Sequence, residues 1–184
     1  RCHPKLVKKL QKILDNEEIV IPLKSRQLIE TESGISIRAL FTPGHDIDHV
    51  CYYLKEDKVM FTGDTVLGAS STSVRNLAQY MRSLKLLTKF KVETVCPGHG
   101  PVVPPPNGSK IIQRQLDHRI NRENQVLDAI KNGYKDISAI ALYIYPKNLQ
   151  KNLRPAAERN VQTHIEKLLQ DGKISETVAT YDLS

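Results

Sequence analysis

With 184 residues, 40% of them apolar, the chain is long enough to bury one core and to carry a smaller second domain. Its net charge of +7, from 27 basic and 20 acidic residues, is compatible with a nucleic-acid partner, although many ordinary proteins are equally basic. No apolar run reaches the length of a membrane span, and the three scattered cysteines, Cys2, Cys51 and Cys96, argue against a disulfide-rich secreted protein.

The first part of the chain is predicted to alternate strands with helices. Its elements are, in order, an amphipathic helix over residues 4–15, strands around 19–22, 26–31 and 35–41, strand-like runs at 58–64 and 92–97, and between these two runs a helix over 73–89. The buried stripe of that last helix consists of Leu77, Tyr80, Met81, Leu84 and Leu87. This pattern predicts an α/β domain.

A proline-rich segment, PVVPPPNGSK at residues 101–110, separates this part from a helical second part. Periodicity and capping residues predict helices over 110–132, 136–145 and 155–171, followed by an alternating segment that is typical of a strand or a small hairpin. Three helices and a terminal strand pair indicate a winged-helix-like unit. We therefore predict two domains, residues 1–108 and 109–184.

Three strand-like runs of the first domain end in a glycine with a potential metal ligand beside it. The segments are TPGH, FTGD and PGHG, and the ligands are His45, Asp64 and His99. Polar residues collect at turns in any protein, but three strand ends with glycine and a ligand favour one shared site. Imidazole and carboxylate together suit zinc or another first-row transition metal.

These three segments, in this order, resemble the later metal-binding motifs of the metallo-β-lactamase superfamily. The segments FTGDTVLGASSTSVRNLAQYMRSLKLL (61–87) and DHRINRENQVL (117–127) also resemble its endoribonuclease-type β-lactamase-like protein 2 subfamily. The resemblance implies the second half of a four-layer αβ/βα sandwich followed by a small helical winged-helix-like domain.

The superfamily's other signature, a His-x-His-x-Asp-His segment that supplies most of the ligands, is not found in this sequence. His3 is the one histidine before His45 and lacks both the spacing and the partner aspartate. We therefore expect that the chain lacks the N-terminal half of the fold and depends on that half as its partner. A natural short form that acts as a non-catalytic binding module stays open as an alternative.

The resemblance implies a metal-dependent hydrolase with two zinc ions per complete site. His45 would bind one ion and His99 the other, while Asp64 would bridge them and act as the catalytic residue. The implied reaction is cleavage of single-stranded RNA phosphodiesters by a hydroxide that the two zinc ions activate. A thioester or other small-molecule hydrolase of the same superfamily is the alternative. The resemblance points to the mitochondrial matrix, with the cytoplasm as the alternative.

Other polar residues near these motifs are weaker candidates. His118 and Arg119 could contact substrate phosphates, and structural hydrogen bonding is an equal alternative for both. His49 could reach a metal but is better placed for a hydrogen bond to a ligand residue. Arg159, His164 and Lys167 would lie on the outer face of a recognition helix, although a solvated face of mixed charge is the commoner explanation.

Overall fold

The computed structural model of the chain describes residue 7 and residues 21–69, 72–177 and 180–183, with the backbone alone for 176–183. The predicted helix over residues 4–15 and the start of the predicted strand at 19–22 lie outside this description. The chain divides into two compact units, Arg1–Leu116 and Asp117–Ser184.

A five-stranded mixed sheet forms the centre of the first unit. Its strands, which are neighbours in chain order, are β1 (Leu28–Glu30), β2 (Ser36–Phe41), β3 (Val50–Leu54), β4 (Val59–Gly63) and β5 (Thr94–Pro97). The first four pair antiparallel, whereas β4 and β5 pair parallel. Strands β2, β4 and β5 therefore run in one direction, and their carboxyl ends lie at the same edge of the sheet.

The two faces of this sheet differ in burial. One face carries the buried residues Leu40, Cys51, Tyr53, Met60, Thr62 and Val95. Because side chains alternate along a strand, the residues between these point the other way. That face is mostly half-buried, and Phe61 on it is 43% exposed.

Helix α1 (Leu77–Leu87) connects β4 to β5. The predicted stripe of Leu77, Tyr80, Met81, Leu84 and Leu87 is confirmed, since all five residues are buried. The helix begins later than the predicted residue 73 because Asn76 caps it: the Asn76 side chain accepts a hydrogen bond from the Gln79 N–H at 2.9 Å.

The proline-rich segment is hydrogen-bonded to the first unit. Val103 forms a β-bridge with Val95 of β5, and the Gly108 N–H donates to the Glu93 carbonyl at 2.8 Å. The division between the two units falls later, inside the helix that follows. The domain boundary between residues 108 and 109 stays a prediction.

The second unit contains helices and a terminal hairpin, as predicted. Helix α2 (Gly108–Lys131) enters it from the first unit, and the further elements are α3 (Ile137–Ile144), a short 3-10 helix (Lys151–Leu153), α4 (Arg154–Gln170), β6 (Ile174–Thr177) and β7 (Thr180–Leu183). Its core consists of Val126, Ala129, Ile130, Ile140, Ala141, Val161, Ile165, Leu168 and Ile174. Among the described helices, none combines the length and the apolar character that a membrane crossing needs.

Candidate metal site

The loops that follow β2, β4 and β5 bring His45, Asp64 and His99 together at one edge of the sheet. The Nε2 atom of His45 lies 3.4 Å from Oδ2 of Asp64, and the Nε2 atom of His99 lies 3.2 Å from Oδ1. Each carboxylate oxygen thus faces a different imidazole. The His45 side chain is 25% exposed and that of His99 is 65% exposed, so the cluster opens to solvent on the His99 side.

Backbone contacts orient the His45 ring. Its Nδ1 atom lies 2.8 Å from the Ser73 carbonyl oxygen, which can only accept, so Nδ1 carries a hydrogen. In the neutral ring, Nε2 then presents a lone pair to the Asp64 carboxylate. Two acceptors face each other in this way only when a proton or a metal ion lies between them. Metal-binding histidines characteristically donate their second ring N–H to a carbonyl or carboxylate, as His45 does.

Helix α1 fixes the loop that carries His45. The Gly44 carbonyl accepts the N–H groups of Arg75 and Asn76 at 2.9 and 3.0 Å, which satisfies backbone donors at the start of the helix. Gly44 also lies against the backbone of Tyr80, where an added Cβ would be 2.4 Å from the Tyr80 Cα. Only glycine permits this approach, and its φ of +138° agrees with that requirement.

A second glycine packs directly beneath the carboxylate. The Gly98 N–H donates to the Gly63 carbonyl at 2.8 Å, and a Cβ at Gly98 would lie 2.8 Å from Oδ1 of Asp64. The loops after β4 and β5 are therefore in contact at the position where Asp64 and His99 meet.

The spacing of the donor atoms is compatible with metal binding by these side chains. Zinc binds imidazole nitrogen and carboxylate oxygen at about 2.0–2.1 Å in tetrahedral geometry, which places its ligand atoms about 3.3 Å apart. The two N–O separations of 3.4 and 3.2 Å match this value. The described His, Cys, Asp and Glu side chains form no group of three around one ion position. Each ion would receive two ligand atoms from the described residues, so further ligands are needed.

His49 lies behind Asp64. Its Nε2 atom is 3.2 Å from the Asp64 backbone nitrogen, and its Nδ1 atom is within 3.0 Å of the hydroxyl oxygens of Thr42 and Thr65. Burial and then the nearby His45 ring lower the pKa of His49, which favours the neutral ring. Burial raises the pKa of the neighbouring Cys51 thiol to about 12, so Cys51 is not a thiolate ligand.

The candidates in the second unit are placed differently from one another. Arg119 is 5% exposed, whereas His118 is exposed, and its pKa is lowered by partial burial and by Arg119 and Arg122. The placement of His164 and Lys167 on an outer face of α4 is wrong. His164 has no exposed surface because positions 161, 164, 165 and 168 form the buried stripe of this helix. Lys167 is paired with Glu123 and does not face solvent freely.

Several residues around the site were not identified from the sequence. Thr42 and Thr65 hold His49, and Thr72 and Ser73 hold His45. Serine and threonine occur in most turns, so the sequence offered no specific signal for these contacts.

Comparison with known proteins shows which families the chain resembles. Residues 4–99, more than half of the chain, match the family model of the Metallo-beta-lactamase superfamily, and residues 137–180 match that of the Beta-lactamase associated winged helix domain. An Atrochrysone carboxyl ACP thioesterase of Aspergillus fumigatus is 43% identical over 99 residues, which are 54% of this chain and 31% of that protein. A Beta-lactamase-like protein 2 homolog of Drosophila melanogaster is 35% identical over 155 residues, 83% of this chain and 52% of that protein.

Among solved structures, a beta-lactamase domain protein from Burkholderia ambifaria superposes with a TM-score of 0.73 at 20% identity, over 89% of this chain and 52% of that one. The chain thus spans about half the length, or less, of the proteins it matches here. The predicted fold, an α/β domain of the metallo-β-lactamase type followed by a small winged-helix domain, is confirmed. The chain therefore belongs to the metallo-β-lactamase superfamily.

Proposed function

We propose that this chain provides part of the active site of a metal-dependent hydrolase in which Asp64 bridges two zinc ions. The observation that carries the proposal is the division of the Asp64 carboxylate, which turns one oxygen to His45 and the other to His99. A carboxylate paired with a single partner would have no reason to face a second imidazole.

The residues of the chain have distinct tasks in this proposal. His45 would hold one ion with an Nε2 atom that the Ser73 carbonyl orients, and His99 would hold the other at the exposed side of the cluster. Asp64 would set the separation of the two ions and offset their mutual repulsion. Bound zinc lowers the pKa of water and polarises the oxygen of a scissile bond, which is the chemistry of hydrolysis.

The substrate class that we propose is single-stranded RNA. The net charge of +7 favours a polyanionic substrate. In addition, 83% of this chain aligns at 35% identity with a Beta-lactamase-like protein 2 homolog, the subfamily that its motifs resemble. A thioester is the second candidate because the Aspergillus relative, at 43% identity over 99 residues, is named as an acyl carrier protein thioesterase. The two candidates use the same metal chemistry and differ in the loops that bind the substrate.

We further propose that the remaining ligands come from the N-terminal half of the same fold. The described residues supply two ligand atoms to each ion position, and the sheet carries a half-buried apolar face that a second layer would cover. The partner is thus a segment of the metallo-β-lactamase fold itself, as a neighbouring part of a longer protein or as a separate chain.

A chimera tests these proposals. This chain would replace the matched residues of the Drosophila relative, which then supplies the first half of the fold. We expect the chimera to bind two zinc ions and to cleave a single-stranded RNA oligonucleotide. Asp64→Ala in the chimera should abolish detectable cleavage, whereas the 184-residue chain alone should bind zinc weakly and cleave no RNA.

The outcomes separate the candidates. A zinc-loaded chimera that hydrolyses an acyl thioester and leaves RNA intact would replace the first candidate by the second. RNA cleavage that survives Asp64→Ala would refute the role of Asp64. RNA cleavage by the 184-residue chain alone would show that no second half is needed.

A further inference from the structure

We infer that His49 is the positioning residue for Asp64: its Nε2 atom accepts the Asp64 backbone N–H and thereby fixes the direction in which the carboxylate points. The inference rests on the function proposed for Asp64 as a bridging ligand. In this role His49 contacts neither metal nor substrate. The role depends on the tautomer of His49, that is, on which ring nitrogen carries the hydrogen.

The hydrogen-bond directions around Thr42 determine this tautomer. The Thr42 hydroxyl donates its hydrogen to Sγ of Cys51 at 3.2 Å. Having used its one hydrogen there, the Thr42 oxygen can only accept from Nδ1 of His49, which lies 2.8 Å away. His49 therefore carries its hydrogen on Nδ1 and presents a lone pair at Nε2. That lone pair is directed at the Asp64 N–H, 3.2 Å away.

A second hydroxyl supports the same arrangement. Thr65 Oγ1 lies 3.0 Å from Nδ1 of His49, and the Thr65 backbone is fixed by a 2.7 Å hydrogen bond from the Tyr80 hydroxyl to its carbonyl. Thr42, Thr65 and Tyr80 all have no exposed surface, so water does not compete for these contacts. Buried polar groups that are mutually paired in this way hold one another in a single orientation.

The backbone just before Asp64 packs against the His49 ring. A Cβ at Gly63, the residue before Asp64, would lie 2.6 Å from Nε2 of His49, so the ring is in contact with the main chain at that position. Gly63 has a φ of +48°, and this left-handed conformation turns the chain out of β4 immediately before Asp64. The imidazole thus fills the space under the turn that presents Asp64.

The first test needs no variant. Nitrogen-15 NMR of the histidine rings in the metal-free chimera described above reports which ring nitrogen of His49 carries the hydrogen. We expect the Nδ1–H tautomer, together with slow hydrogen exchange at the Asp64 amide. An Nε2–H tautomer, or an Asp64 amide that exchanges as fast as an exposed one, would overturn the inference.

A matched pair of amide variants tests the consequence for metal binding. In His49→Gln the side-chain amide reaches the position of Nε2, whereas in His49→Asn it reaches only the position of Nδ1. We expect His49→Asn to weaken Co²⁺ binding to the chimera, followed by visible absorption, by about 10–100-fold, the range typical of lost supporting contacts around a metal site. His49→Gln should bind Co²⁺ close to the wild-type affinity. A merely structural role would give equal losses for both variants, and that result, or no loss in either, would contradict the inference.

A variant of the neighbouring hydroxyls checks the same point without altering the ring. Thr42→Val together with Thr65→Val removes both acceptors of the Nδ1 hydrogen, and we expect His49 to change to the Nε2–H tautomer and Asp64 amide exchange to become faster. Faster exchange of the Asp64 amide while the Nδ1–H tautomer is kept would overturn the inference, because the Nε2 lone pair would then be present without protecting that amide. If the Asp64→Ala variant binds Co²⁺ as tightly as the wild type, the proposed metal role of Asp64 is refuted. The tautomer of His49 and the exchange rate of the Asp64 amide then still decide the role of His49.

Discussion

Gly98 determines how closely the loop after β5 approaches the Asp64 carboxylate. Its Cα lies beneath Oδ1, and a Cβ would come within 2.8 Å of that atom and 3.2 Å of the Gly63 carbonyl carbon. The second of these neighbours is main chain and cannot rotate away. A single methyl group at this position should therefore separate Asp64 from His99.

We predict that Gly98→Ala weakens Co²⁺ binding to the chimera by about tenfold or more, in the range for disturbed supporting contacts. Gly100→Ala in the same loop is the control, because a Cβ there meets nothing within 4 Å and adds only the strain of a φ of +81°. That strain should cost about 1–2 kcal/mol of stability and leave binding unchanged. Equal binding losses in the two variants, measured by absorption titration, would show that loop strain and not the contact with Asp64 is responsible.

His164 is a buried neutral histidine in the second unit. Its Nδ1–H donates to the Asn160 carbonyl at 2.8 Å, and Nε2 is buried without a hydrogen-bond partner among the residues that the structure describes. Burial lowers the pKa of His164 to about 4; the Asn160 hydrogen bond opposes the shift, and Arg119 and Arg122 add to it. The protonated ring is therefore disfavoured in the folded chain.

This pKa predicts a loss of stability in acid. The unfolded histidine binds a proton near pH 6.5, whereas the folded one does so only near pH 4. Between these values the free energy of unfolding falls as the pH falls, by about 1.4 kcal/mol per pH unit. We expect His164→Leu to gain about 2 kcal/mol relative to wild type between pH 7 and pH 5. Urea unfolding of both proteins measures the difference, and parallel stability curves would contradict the prediction.

The sequence indicated the three residues at the strand ends because glycine and a metal-binding side chain recur there. It could not show that Asp64 faces both histidines, since that depends on the register of β4 against β5. The error at His164 has a similar origin. Helical spacing groups residues onto faces, but the face that lies inside is decided by the partner helices.

Three elements of the second unit meet at one buried carboxylate. Glu123 of α2 pairs with Lys167 of α4 at 2.5 Å and with Lys173, just before β6, at 2.9 Å. The Glu123 side chain is 7% exposed. Burial raises its pKa, but the hydrogen bonds from the two lysines outweigh burial, and the net pKa is lowered. Glu123 is thus held ionised where a lone carboxylate would be costly.

We predict that Glu123→Gln lowers the free energy of unfolding by about 2 kcal/mol, because Lys167 and Lys173 lose a charged hydrogen-bond partner while Lys167 keeps only Asp171 at 2.7 Å. Glu93→Gln is the matched control, since its partner Lys58 is in a more exposed pair at 2.6 Å and solvent screens that charge. The control should change stability little. Equal losses in the two variants, measured by urea denaturation, would refute a special role for the buried pair.

Element types were predictable where several signals agreed. Asp136 caps α3 by accepting a hydrogen bond from the Ala139 N–H, and this start agrees with the helix predicted over residues 136–145. The contacts of the proline-rich segment were not predictable. Its prolines mark the end of regular structure, but nothing local shows that Val103 returns to pair with Val95.

At the scale of the whole molecule, the sheet presents one buried face and one half-buried apolar face. Phe61 lies on the second face in β4, opposite Tyr52 of β3. Burial of one large apolar side chain is worth roughly 1.5–3 kcal/mol, so such a face favours association with another surface.

We predict that the 184-residue chain self-associates at micromolar concentration and that Phe61→Lys reduces this association. Leu142→Lys is the control, because Leu142 is 56% exposed but lies on α3 in the other unit. Analytical ultracentrifugation should show a mass that depends on concentration for the wild type and the control. A monomeric wild-type chain at all concentrations would contradict the prediction.

The parallel pairing of β4 with β5 also sets the order in which the cluster can assemble. Strands β2, β3 and β4 are neighbours in chain order, so local pairing brings the loop that carries His45 close to Asp64, and the start of α1 then fixes that loop. His99 reaches Asp64 only after the chain through α1 has crossed over and β5 has paired beside β4. The entropic cost of closing that longer loop must therefore be met before His99 can reach Asp64. In the proposed site, an ion would therefore meet only His45 and Asp64 before the crossover is complete, and His99 would become available afterwards.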